Sequence, residues 1–156
     1  MTQSRAYILL ASVGSATLLA AAFLFQAAGY APCHLCLLQR WPHLVAVIIG
    51  AAMLVFHLRS PFAYLGGLAA LTTAGIGIYH SLVERHIIAG PTSCTSGGPG
   101  LGSVDDLLDQ INRAPLVQCD QISWEMFGVT MANLNVVFSL VLWVLWMLAA
   151  RSGARS

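Results

Sequence analysis

The sequence predicts an all-α membrane protein, a four-transmembrane-helix bundle with two loops on its outer side and a short amphipathic loop helix. Three observations predict it. Only 8% of the 156 residues are charged, where a soluble domain carries about a quarter, and the mean hydropathy is +0.77. The uncharged apolar residues fall in four long blocks, 6–32, 41–58, 60–83 and 126–150. All four cysteines lie outside those blocks. The net charge of +1 and the low polarity exclude a disordered chain, a coiled coil and a basic nucleic-acid binder, so no nucleic-acid partner is expected.

A helix needs about 20 residues to cross a hydrocarbon core of roughly 30 Å, and one such span fits in each block. The expected helices are about 7–29, 41–58, 62–83 and 132–150, in one domain covering 1–156. The first block follows Arg5 and ends in small residues, as a signal peptide does, but it is longer than a signal h-region and reads as a retained helix. A further uncharged stretch, His86 to Val104, is too rich in glycine and proline to span a membrane.

Arginine placement orients the bundle. Arg5, Arg59, Arg151 and Arg155 sit in short segments on one side, whereas Arg40, Arg85 and Arg113 are spread over the other. The first side is expected to be cytoplasmic, with both termini. The outer, periplasmic loops are then about 30–40 and 84–131. Within the longer one Leu101, Val104, Leu107, Leu108 and Ile111 recur at helical spacing opposite Asp105, Asp106 and Asp109, which predicts a short amphipathic helix lying on membrane lipid.

Cys33 and Cys36 belong to the first outer loop, Cys94 and Cys119 to the second. Paired cysteines on an oxidising side read as disulfides. Two inert staples are a poor account, because the loop closed by Cys33 and Cys36 is too small to constrain an unfolded chain. A C-x-x-C pair more often carries redox chemistry. Structural zinc prefers two closely spaced pairs, so no metal is expected, and c-type haem requires a histidine where Leu37 stands. Arg40 follows the pair closely, and beside a C-x-x-C it can favour a thiolate as well as anchor the membrane edge. His80 and Glu84 share a helical face at the outer end of the third span. His43 and His57 offer no comparable pattern.

These residues together resemble the disulfide bond formation protein B (DsbB) family of bacterial inner-membrane thiol oxidases. The resemblance rests on Pro32-Cys33-His34-Leu35-Cys36-Leu37-Leu38-Gln39-Arg40, on Tyr79-His80 with Val83-Glu84, on Gly90-Pro91-Thr92-Ser93-Cys94, and on Cys119-Asp120 leading through Trp124 and Gly128 to Met131-Ala132-Asn133 and Asn135. It implies a four-helix enzyme that reoxidises a periplasmic thioredoxin-like protein of the DsbA type and passes the electrons to a membrane quinone, ubiquinone or menaquinone. It further implies that Cys94 and Cys119 form the disulfide attacked by the partner, that Cys119 exchanges with Cys33, and that Cys36 faces the quinone beside Arg40. A histidine of the family near the quinone corresponds to His80 or His86, and Glu84 lies beside them. Two rival readings are the vitamin K epoxide reductase family, in which the loop cysteines precede the C-x-x-C pair, and a non-enzymatic membrane protein with structural disulfides.

Overall fold

The computed structural model describes residues 3–91 and 118–153. Cys94 and the amphipathic helix expected over Leu101 to Ile111 lie outside the described residues. Four long apolar helices dominate: α1 (Gln3–Ala27), α2 (His34–Val55), α3 (Ala63–Glu84) and α4 (Met131–Gly153). A 3-10 turn at Ser60–Phe62 leads into α3, and two short antiparallel strands, β1 (Glu125–Met126) and β2 (Val129–Thr130), lead into α4. The helices form a ring in which α1 packs on α2, α2 on α3, α3 on α4 and α4 back on α1. The short connections from α1 to α2 and from α2 to α3 set those three helices in the up-down order of such bundles.

Large side chains face outward and small ones inward. Leu10, Phe23, Leu24, Ile48, Leu68 and Val137 are exposed, while Ala11, Ala46, Ala70, Ala74, Ala149 and Ala150 are buried between helices. This is the distribution of a bundle in lipid, where close backbone approach replaces the oily core of a soluble protein. Among the described residues Trp146 is the largest side chain wholly inside, and it lies over Gly66, where an added Cβ would stand 2.5 Å from the indole.

The second helix begins at His34, seven residues before the expected start at Trp41, and Pro42 lies inside it. At the ninth position of the helix this proline lies past the four backbone N–H groups that lack a helical acceptor, so the bond to the Leu38 carbonyl oxygen is forgone while the helix runs on through it. Cys33 caps this new start: its Sγ accepts the Cys36 backbone N–H at 3.2 Å. The expected loop over 30–40 therefore shrinks to the residues between Ala27 and His34, and the C-x-x-C pair sits on the first turn of a helix.

At the far end of the bundle Arg5 donates to the carbonyl oxygen of Leu54 at 3.3 Å, and Ser4 to that of Ala149 at 3.0 Å. The start of α1, the end of α2, the start of α3 and the end of α4 meet there, with Arg59 in the connection from α2 to α3 and Arg151 in the last turn of α4. Cys33, Cys36 and Cys119 occupy the opposite end.

Candidate redox centre at the cysteine end of the bundle

Cys33 and Cys36 are free thiols with their sulfurs 2.8 Å apart, Cys33 donating to Cys36. Cys119 is disulfide-bonded. It is fully buried in a cluster with Cys33, Leu35 and Val83, against which Cys36 and Ile88 pack. The hydrogen bond to Cys36, followed by burial, pushes the Cys33 thiol well above the ordinary range, so Cys33 keeps its proton.

His80, on the last turns of α3, sets its Nε2 3.4 Å from Cys33 Sγ and 3.5 Å from Glu84 Oε1. Its Nδ1 lies 2.9 Å from Gln39 Nε2. Gln39, His80 and Glu84 are all buried. Cys33, Cys36 and His80 also offer three metal-ligand atoms within 4.8 Å of one another. Two thiolates on one tetrahedral zinc, at bonds of about 2.3 Å, stand about 3.8 Å apart. The 2.8 Å sulfur separation suits a pair that closes on itself better than a metal clamp.

Beside Cys36 the bundle encloses a cavity of about 240 Å³. Its wall includes Cys36, Gln39, Arg40, His43, His80 and Asn135 among apolar side chains such as Leu18, Phe25, Met131 and Phe138. The early start of α2 puts Cys36, Gln39, Arg40 and His43 on one helical face, at spacings of three and four. Arg40 reaches across to α1, where it donates to Gln26 Oε1 at 2.8 Å and to the carbonyl oxygen of Ala22 at 3.3 Å, with its guanidinium 4.8 Å from the Phe23 ring centre. Its Nε is buried with no hydrogen-bond partner, and the same holds for His43 Nδ1. Two unpartnered polar atoms on residues that line one apolar cavity make it a candidate ligand site.

The chain belongs to the DsbB family. The profile described as "Disulfide bond formation protein DsbB" matches residues 4–149. A Rickettsia prowazekii (strain Madrid E) protein described as "Uncharacterized protein RP370" is 26% identical over 117 residues, 72% of this chain and 67% of that protein. No solved structure matches. Membership in the DsbB family assigns the chain to the membrane machinery of disulfide-bond formation.

Of the residues singled out in the sequence, this DsbB-family chain gathers Cys33, Cys36, Arg40, His80, Glu84 and Cys119 at one end. Glu84 stands behind His80 and does not line the cavity. His86, the other histidine candidate, is exposed, with φ 55°, and is not among the residues that line the cavity. It terminates α3 instead, its N–H bonding the Val83 carbonyl while the Ile87 N–H reaches that of Leu82. Sequence reasoning missed the polar side chains deeper in the bundle: Gln39, His43, Thr73 and Ser139, which surround Asn135. A helix begun at His34 would have exposed the series 36, 39, 40, 43 as one face.

Proposed function

We propose that this chain oxidises the thiols of a periplasmic thioredoxin-like protein of the DsbA type and passes the electrons to a membrane quinone. The cavity beside Cys36 carries this reading, being apolar, lined by residues of the membrane-spanning helices, and equipped with the unpartnered Nε–H of Arg40. At about 240 Å³ it falls below the roughly 300–1,000 Å³ typical of drug-sized ligands, which suits a single ring head. A bound quinone supplies the two-electron sink that a strongly oxidising partner requires.

The chain's own residues divide the work. The disulfide partner of Cys119 in this reading is Cys94, as the family resemblance implies. The partner's thiolate attacks Cys94, the Cys94–Cys119 bond breaks, and Cys119 leaves as a thiolate. The partner's second thiol then resolves the mixed disulfide and leaves oxidised. Reduced Cys119 attacks Cys33 of a Cys33–Cys36 disulfide, and Cys94 closes on Cys119 again, which leaves Cys33 and Cys36 as the dithiol of this structure. Cys36 then gives up its electrons from the cavity wall, and Cys33 releases its proton and closes the disulfide. In all, two thiols lose two electrons and two protons. Arg40, pinned on α1, offers its remaining N–H to an acceptor oxygen and favours negative charge on Cys36.

The test is turnover by the purified protein with a reduced DsbA-type partner and ubiquinone-1, followed by loss of quinone absorbance and by partner thiol content. Equimolar loss of thiol pairs and quinone is expected. Partner oxidation without quinone loss, or neither, overturns the reading.

A further inference from the structure

The orientation of one amide propagates through the whole polar cluster behind the cavity. Asn135 Nδ2 lies 2.7 Å from Gln39 Oε1, 3.1 Å from Thr73 Oγ1 and 3.4 Å from the Thr73 carbonyl oxygen. The Thr73 hydroxyl hydrogen is committed to the Gln39 carbonyl oxygen at 3.1 Å, so Oγ1 can only accept from Asn135. Turning the amide over would set oxygen against oxygen with no hydrogen between them. The NH2 group therefore faces Thr73, and Oδ1 faces the other way.

That Oδ1 meets His43 Nε2 at 2.9 Å and the Ser139 hydroxyl at 3.4 Å. An amide oxygen only accepts, so His43 carries its hydrogen on Nε2. His43 is 3% exposed, and its one polar partner is an uncharged amide. The uncharged ring then holds a bare lone pair at Nδ1, the buried atom without a partner. The same chain runs toward Cys33. Gln39 Oε1 is taken by Asn135, so Gln39 Nε2 donates to His80 Nδ1, and His80 carries its hydrogen on Nε2, toward Cys33 Sγ.

We infer that His43 Nδ1 is the acceptor for a hydroxyl of the reduced, hydroquinone form of the ligand, so that the cavity has an N–H donor on Arg40 and a lone pair on His43. The inference rests on the quinone reading above and extends it to the redox state that the site prefers. A quinone brings two carbonyl acceptors and no donor, which leaves the lone pair unpaired, whereas a quinol brings O–H groups that satisfy it. Leaving a buried acceptor unpaired costs roughly tenfold in affinity, so the site holds quinol the more tightly by about that factor. For a two-electron couple a tenfold ratio raises the potential of the bound pair by about 30 mV, in the direction that draws electrons from Cys36. Asn135 is the positioning residue that sets this polarity.

Two measurements test it. In ligand-free protein labelled with 15N in its histidine rings, NMR is expected to find His43 Nδ1 without a proton and Nε2 with one. A proton on Nδ1 overturns the inference. In detergent, dissociation constants for ubiquinone-1 and ubiquinol-1 are read from tryptophan quenching. His43→Leu is expected to lower the preference for quinol about tenfold. His43→Asn, whose amide oxygen stands where Nδ1 was, keeps that preference, while His43→Gln, which reaches the Nε2 position, loses it. An unchanged ratio in His43→Leu overturns the inference, as does equal behaviour of the Asn and Gln variants. Failure of the wild-type protein to bind either form overturns the quinone reading itself.

Discussion

Cys33 and Cys36 are chemically unequal although they share one turn of helix. Cys33 is 3% exposed, donates its S–H to Cys36, and has its thiol pushed up by that bond and by burial. Cys36 lies on the cavity wall. Alkylation requires a thiolate that the reagent can reach, and a raised pKa means that Cys33 ionises only as the pH climbs above the ordinary thiol range. In the reduced protein at pH 8, a small maleimide is expected to modify Cys36 at least tenfold faster than Cys33, read by peptide mass spectrometry. Comparable rates would show the two thiols to be equivalent. Arg40 permits a second test at this scale. Its two contacts with α1 and the Phe23 ring beneath it hold the fork in place, and a lysine reproduces none of that geometry. A charge-assisted hydrogen bond is worth about 1.5–3 kcal/mol, so Arg40→Lys is expected to raise the KM for quinone roughly tenfold and Arg40→Ala more. Exchange between the partner and Cys94 is expected to stay at the wild-type rate in both. An unchanged quinone dependence would return Arg40 to the part of a membrane anchor.

At the scale of elements, helix ends explain which histidines meet the site. His80 lies within α3, four residues before Glu84, and faces Cys33 across the bundle. His86 is two residues past the end of the same helix, in the left-handed conformation that closes it. A non-glycine residue there costs roughly 1–2 kcal/mol, so His86→Gly is expected to raise the unfolding free energy in detergent by about 1 kcal/mol without changing turnover. A loss of turnover would instead assign His86 a chemical role. The early start of α2 matters in the same way. With the helix under way at His34, Cys36, Gln39, Arg40 and His43 form a single stripe on the cavity, whereas a start at Trp41 would have left the C-x-x-C pair in a loop with no fixed relation to His43.

For the whole molecule, the length of the helices separates Arg5, Arg59 and Arg151 at one end from the cysteines, the cavity, Arg40 and Arg85 at the other. The Arg5 end is expected to face the cytoplasm. A cysteine introduced at Ser152 in a variant lacking the four native cysteines is expected to resist a membrane-impermeant maleimide in intact cells and to react after lysis. Labelling before lysis would invert the topology. In the function proposed above, the same end of the bundle lets thiols meet a soluble partner while Cys36 addresses a ligand within the bilayer.

Much of this was legible without coordinates. Four spans and the placement of Arg5, Arg59 and Arg151 together at one end follow from hydropathy and charge, because transferring a charged side chain or an unpaired backbone group into lipid is costly wherever it occurs along the chain. The C-x-x-C pair and Arg40 were legible too, since their spacing is local. What the tertiary structure decided are relations among α2, α3 and α4: that His80 and not His86 meets Cys33, that Glu84 stands behind it, and that Asn135 aligns His43 and Gln39. Hydrogen bonds between residues 41 to 96 positions apart leave no periodicity in the sequence. They exist because small residues let the helices approach closely enough for buried polar side chains to find one another.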